Sequence, residues 1–191
     1  MIEWLLDIGN KYLNRSRVYF VCRAMLYLVA IPIFLAILFI FHQTKDTKDI
    51  ANIIIQISQL LYDFGLAFLC LALMRLLYDS NYKMPTIGYY IVILTIKGVY
   101  LFFMTSIGGE GELYTLIFVL VLILHTVVGL QLLKTEYAVF GKAFLFYFGG
   151  ILMAAIFSAS HADLFSAIAM ILACGILAYT FYKELPPYFD E

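Results

Sequence analysis

Residues 24–44 read AMLYLVAIPIFLAILFIFHQT, and no charged side chain interrupts this run between Arg23 and Lys45. A helix needs about 20 apolar residues to cross the hydrocarbon core of a bilayer. Lipid offers no hydrogen-bond partner to an exposed backbone, so a crossing segment of this kind must be helical. The run therefore predicts a transmembrane helix, with Pro32 inside it as the site of a kink.

The composition of the whole chain also indicates that lipid surrounds most of the protein. The 191 residues are 64% hydrophobic and only 13% charged, and the mean hydropathy is +0.97. A soluble domain carries about 25% charged residues, because its surface must be wetted. The net charge of −1 and the lack of a clustered basic face exclude a nucleic-acid partner. Membrane lipids are the expected surroundings.

Charged residues also mark the limits of five further stretches of sufficient length. These lie between Asp49 and Arg75, Lys83 and Glu110, Glu112 and Lys134, Lys142 and Asp163, and Asp163 and Lys183. The predicted fold is all-α, a polytopic membrane bundle of six transmembrane helices within residues 18–185. Pro186 and Pro187 end the last helix, and residues 186–191 form a short tail.

The positions of Lys and Arg predict the orientation, because cytoplasmic loops carry an excess of both. One set of connecting segments contains Lys11, Arg15, Arg17, Arg23, Arg75, Lys83, Lys134, Lys142 and Lys183. The opposite set contains only Lys45 and Lys48. We therefore expect a multi-pass protein of the cell (inner) membrane, with both termini in the cytoplasm.

Residues 1–17, MIEWLLDIGNKYLNRSR, form a separate element with apolar residues at helical spacing. Trp4 and the basic end suit an amphipathic helix that lies in the cytoplasmic interface. One interpretation is an anchor that sets the start of the first span. The other is a docking surface for a cytosolic partner, with Trp4, Lys11, Arg15 and Arg17 as its contact residues.

Three titratable residues lie far from any interface: Asp63, Lys97 and His125. An unpaired charge near the bilayer centre costs at least about 2.5–3.5 kcal/mol, so we expect Asp63 and Lys97 to pair. Gln56 and Gln59 continue the polar face of Asp63 at helical spacing, and this face must meet protein or water. The pair is either a structural ion pair or part of an ion path, a proton path or a conformational switch. His125 is either a neutral buried histidine or a proton relay.

The last two spans carry small residues at four-residue spacing. Gly150, Ala154 and Ser158 lie on one span, and Ala169 with Ala173 on the other. Small residues let the backbones of membrane helices approach closely. This pattern predicts a tight hairpin.

Three classes of function remain open. Short enzyme motifs such as HExxH, GxSxG and CxxC do not occur, and we expect no catalytic residue, metal or cofactor. The first hypothesis is a non-enzymatic membrane subunit, a sensor or scaffold in an envelope complex for signalling or defence. Such a subunit would form a homo-oligomer or bind another protein subunit on the cytoplasmic side. The alternatives are a small ion- or proton-coupled transporter or channel that uses the Asp63, Lys97 and His125 layer, and a membrane-embedded enzyme.

Overall fold

The structure is a computed structural model that describes residues 11–41, 45–79 and 112–189, together with Trp4, Asp7 and Thr95. Helices and short turns make up this part of the chain, and no strand occurs in it. Its elements are α1 (Arg15–Phe41), α2 (Lys45–Asp79), α3 (Glu112–Leu132), α4 (Ala138–Ala159), α5 (Asp163–Glu184) and a 3-10 turn, η1 (Pro186–Tyr188). The all-α prediction is confirmed for the described residues.

Four of the described helices are long and apolar enough to cross a membrane. The crossing segments are Arg15–Leu38, Ile53–Tyr78, Ala138–Ala159 and Leu164–Tyr188. In α3 the apolar segment Leu122–Leu132 is shorter than a full crossing, although the helix itself has 21 residues. These helices support a helical membrane protein. The third predicted span, between Lys83 and Glu110, lies outside the described residues except for Thr95.

Helix α1 begins nine residues before the first uncharged run. The Asn14 side-chain oxygen accepts a hydrogen bond from the backbone N–H of Arg17 at 2.9 Å, which is the usual role of an N-cap asparagine. Arg15 and Arg17 therefore belong to the first long helix, whereas the sequence analysis assigned them to a separate interfacial element. Of residues 1–10 only Trp4 and Asp7 are described, and both are helical and exposed.

The helices form one bundle in the spatial order α2, α1, α5, α4, α3. A continuous core joins them, and its most completely buried large side chains include Phe140, Phe144 and Phe181. Large apolar side chains also cover the outside, such as Phe20 at 71% and Phe34 at 62% exposure. An apolar exterior of this extent is the surface that lipid requires.

Helices α3 and α4 approach closely through glycine. A Cβ on Gly141 would lie 2.7 Å from the carbonyl oxygen of Gly129, and a Cβ on Gly129 would lie 2.9 Å from Leu145 Cγ. A larger side chain at Gly141 therefore requires movement of the backbone, whereas at Gly129 the side chain of Leu145 would have to move. The close approach sets the hairpin that brings His125 against α4.

Helices α4 and α5 form the predicted tight hairpin. A Cβ on Gly150 would lie 2.3 Å from Ala173 Cβ and 3.3 Å from the carbonyl oxygen of Ala169. The hydroxyl of Ser166 donates to the carbonyl oxygen of Ala154 at 2.8 Å. Of the small residues singled out in the sequence, Gly150, Ala154, Ala169 and Ala173 lie at this crossing, whereas Ser158 is exposed. The prediction of a hairpin is confirmed.

Candidate functional site

Asp63 lies near the middle of the crossing segment of α2 and is only 9% exposed. The sequence predicts that this face of α2 meets protein or water, and the Asp63 carboxyl is buried. Gln59, one helical turn earlier, is exposed. Lys97 and the side chain of Gln56 lie outside the described residues, so the Asp63–Lys97 pair stays a prediction.

His125 is 1% exposed on α3 and packs against aromatic rings of α4. The centre of its ring lies 4.2 Å from that of Phe148 and 6.1 Å from that of Phe144. The side chain is therefore surrounded on this side by apolar groups, as expected for a histidine in a largely apolar face. The two roles predicted for His125, a neutral buried residue and a proton relay, both stay predictions.

A row of four rings connects the neighbourhood of Asp63 to His125. Tyr62 lies beside Tyr147 with ring centres 6.4 Å apart, Tyr147 meets Phe148 at 4.8 Å, and Phe148 meets His125 at 4.2 Å. Tyr147 and Phe148 stand near the middle of α4. This aromatic row therefore brings Asp63, next to Tyr62, and His125 to similar depths, with α4 between them.

A cleft of about 200 Å³ opens between α1, α2 and α5, in the half of the bundle farther from Arg15. Pro32 of α1, Gln59 and Tyr62 of α2, and Cys174 of α5 contribute to its wall. The Tyr62 hydroxyl donates to the carbonyl oxygen of Cys174 at 2.9 Å, which joins α2 to α5. Most of the lining is apolar. Gln59 gives the cleft a hydrogen-bonding group at its exposed side.

The opposite end of the bundle joins three parts of the chain through Arg75. Its guanidinium donates to the carbonyl oxygen of Leu13 at 3.1 Å and lies 5.6 Å from the ring centre of Phe189. Leu13 and Phe189 are 5% and 3% exposed. One cation at the end of α2 therefore holds the segment before α1 and the segment after η1 together. We refer to Arg75, Leu13 and Phe189 as the terminal junction.

Three of the proposed docking residues lie close to Leu13 of this junction along the chain. Lys11, Arg15 and Arg17 are exposed, and Trp4 is 65% exposed. The cationic groups of Lys11 and Arg17 each lie 5.6 Å from the ring centre of Tyr12, within the range of a cation–π contact. The four candidate side chains are thus accessible.

Arg75 and Phe189 were not among the sequence candidates. Arg75 was treated as the end of a span, and the tail after Pro187 as a simple extension. A tyrosine cluster around Arg23 was also missed, although Tyr19, Arg23 and Tyr27 recur every four residues and thus share one face of a helix. That spacing was the available signal.

Within the described residues, no group of three or more His, Cys, Asp or Glu side chains is placed to hold a metal ion. No protein-family model matches the chain, and no curated protein or solved structure matches it at a significant level. Function must therefore be inferred from the chain's own residues.

Proposed function

We propose that this protein is a non-enzymatic membrane subunit that acts as a sensor or scaffold in an oligomer or with a protein partner. The partner surface consists of Trp4, Lys11, Arg15 and Arg17, on the cytoplasmic side. The terminal junction is the observation that carries this proposal.

The junction supports a sensor because it connects an accessible surface to a helix with a buried acid. Arg75 holds Leu13, which lies directly after the exposed Lys11 and Tyr12. The same residue is part of α2, three turns after Asp63. A partner that moves the segment before α1 would therefore act on α2 through the Arg75 guanidinium and through the core packing of Leu13, since a densely packed interior transmits strain.

We also propose six crossings for the chain, with both termini on the same side. Leu13 and Phe189 both contact Arg75, so the two terminal segments lie at the end of the bundle where α2 finishes. The Tyr137 hydroxyl donates to the carbonyl oxygen of Leu76 at 3.4 Å, so α3 finishes at this end too. Helix α3 has 21 residues and spans about 31 Å, which puts Glu112 toward the far end. A sixth crossing between Asp79 and Glu112 would join these two ends, which supports the proposed count.

The cytoplasmic assignment rests on the basic residues of this end. Lys11, Arg15, Arg17, Lys134, Lys142 and Lys183 are all exposed there. An excess of Lys and Arg near the ends of spans favours retention in the cytoplasm.

The test is the mass of the protein extracted directly into native nanodiscs, without detergent. We expect the wild-type chain to run as a complex heavier than one chain. The charge reversal K11E/R15E/R17E is expected to reduce the complex to a single chain. The matched control K134E/K142E/K183E changes the net charge equally and is expected to leave the complex intact. A wild-type protein that is a lone single chain would contradict the proposal, and so would equal behaviour of the two triple variants.

A second candidate, an ion- or proton-coupled transporter, is favoured by one observation. Asp63 is a carboxyl group that is nearly buried in the middle of a crossing helix, and ionisable residues at such positions often mark ion or proton paths. Protein reconstituted in liposomes is then expected to carry protons or cations under an imposed gradient. Asp63→Asn should abolish that flux, while the exposed Glu136→Gln should leave it unchanged. Wild-type liposomes that stay tight under proton, sodium and potassium gradients would remove this candidate.

A further inference from the structure

Arg23 lies exposed on α1 and is held by a tyrosine of the same helix. Its Nε–H donates to the hydroxyl of Tyr27 at 2.9 Å, and its guanidinium carbon lies 5.6 Å from the centre of that ring. A guanidinium has five N–H groups, and the hydrogen bond to Tyr27 uses one of them. Four donors therefore remain on a side chain whose orientation is already set.

Two further tyrosines extend the same face across to α5. The hydroxyls of Tyr19 and Tyr182 form a short hydrogen bond, and the two ring centres are 4.9 Å apart. One hydroxyl of this pair donates to the other, so the pair retains one proton that can be donated outward. Tyr27 accepts from Arg23 and retains its own proton in the same way. Arg23, Tyr19, Tyr27 and Tyr182 thus form a cluster of donors, which we call the Arg23 cluster.

The cluster lies near the ends of two helices that are long and apolar enough to cross a membrane. Tyr182 lies two residues before the end of α5 at Glu184. Its partner Tyr19 lies on α1, one helical turn before Arg23. Tyrosines are enriched at this level of membrane proteins, and long basic side chains extend toward it from inside. Large apolar side chains flank the cluster on the outer surface, with Phe20 at 71% and Tyr179 at 57% exposure. The donors therefore face a region where lipid head groups and acyl chains meet.

The charge of Arg23 has no acidic counterpart in the part of the chain that the structure describes. An ion pair nearby joins Lys183 Nζ to Glu184 Oε1 at 3.5 Å, and no described carboxylate lies within ion-pair distance of Arg23. A lipid-facing cation without a carboxylate is costly unless an anion accompanies it. A phosphate group fits, because guanidinium groups bind phosphate oxygens in a bidentate manner.

We propose that the Arg23 cluster is a binding site for the phosphate group of an anionic phospholipid. Arg23 supplies two N–H donors to the phosphate, and the free hydroxyl protons of the tyrosines supply the remaining contacts. The acyl chains lie along the exposed apolar surface of α1 and α5. Because the cluster bridges the first and the last described helices, the bound lipid would hold these two helices together near the terminal junction.

The test is lipid retention measured by native mass spectrometry after transfer from nanodiscs of defined composition. The protein is exchanged into phosphatidylcholine with a minor fraction of phosphatidylglycerol, and the retained lipids are counted. We expect at least one retained phosphatidylglycerol per chain. In Arg23→Gln its apparent affinity should fall by about tenfold, since the variant loses charge-assisted hydrogen bonds. Lys142→Gln removes an exposed cation of α4 that is not part of the cluster and should retain wild-type binding.

Tyr27→Phe keeps the fold-determining shape and charge and removes one hydroxyl, so its affinity should fall by about threefold. Unchanged thermal unfolding of each variant shows that the loss is local. Equal loss in Arg23→Gln and Lys142→Gln would overturn the proposal, because binding would then follow total charge alone. Competition by inorganic phosphate at low millimolar concentration would overturn the assignment to lipid and favour a site for free phosphate. Neither result affects the partner surface, whose test changes Lys11, Arg15 and Arg17.

Discussion

Substitution of Gly150 by alanine is the sharpest perturbation that the packing of α4 on α5 allows. The added Cβ would lie 2.3 Å from Ala173 Cβ, whereas two carbon atoms in contact are normally separated by about 3.5–4.0 Å. The two helices must separate by about 1–1.5 Å at their crossing to admit the methyl group. Overpacking of this kind costs about 1–3 kcal/mol.

Gly149→Ala is the matched control, because nothing lies within 4 Å of a Cβ at Gly149. Both substitutions replace glycine within α4, so both gain about 0.8–1 kcal/mol from the better helix propensity of alanine. The difference between the two variants therefore isolates the clash. We expect it to be about 1–3 kcal/mol, which corresponds to a change of about 5- to 150-fold in the unfolding equilibrium constant. The double variant G150A/A173G removes the opposing methyl group and should recover most of that loss.

The assay is unfolding of the purified protein in mixed micelles by titration with SDS, followed by far-ultraviolet circular dichroism. The slope of the transition should be the same in all variants, so that midpoints can be compared as free energies. Gly150→Ala and Gly149→Ala with equal stability would refute the close approach of α4 and α5. Failure of Ala173→Gly to rescue Gly150→Ala would refute the identity of the opposing residue.

Three further substitutions test other contacts. Tyr62→Phe removes the hydroxyl that binds α5. In the same titration it should lower the free energy of unfolding by about 0.6 kcal/mol, and at most by about 1.7 kcal/mol. Tyr78→Phe, on the exposed side of α2, should change the free energy of unfolding by much less. Asn14→Ala removes the N-cap of α1 and should lower the free energy of unfolding by about 1 kcal/mol. Hydrogen exchange at the Arg17 amide should become faster in this variant, and Asn14→Ser should restore slow exchange. Slow exchange in the alanine variant would contradict the cap. Arg75→Gln opens the terminal junction and should speed limited proteolysis at both ends of the chain, whereas wild-type cleavage rates would show that other contacts hold the termini.

The spacing of charges was sufficient to predict the long helices but not their ends. Helix α1 continues to Arg15, and α2 runs from Lys45 to Asp79, past both charges taken as its limits. Lys and Arg extend their charged groups toward the interface while their backbone remains helical. A charge therefore marks the level of the membrane surface and not the last helical residue.

The candidate site was predictable to the extent that helical periodicity determines it. The burial of Asp63 and the meeting of Gly150 with Ala173 follow from residue spacing. The aromatic row does not, because Tyr147 and Phe148 lie in an apolar helix where any face could have been the inner one. Their contacts depend on which helices are neighbours in the bundle, and local spacing in the sequence does not predict this. The contact of Arg75 with Phe189 likewise depends on how the segment after η1 folds back.

The most direct test of the proposed orientation, on which the partner surface depends, is the sidedness of two connecting loops. Glu136 lies between α3 and α4, Ser160 lies between α4 and α5, and both are exposed. Each is replaced by cysteine in a chain whose Cys22, Cys70 and Cys174 have been changed to alanine, and intact cells are treated with a membrane-impermeant maleimide. We predict that Ser160→Cys is labelled on intact cells and that Glu136→Cys is labelled only after the membrane is opened. The reverse pattern, or labelling of both positions from one side, would contradict the orientation and with it a cytoplasmic partner surface.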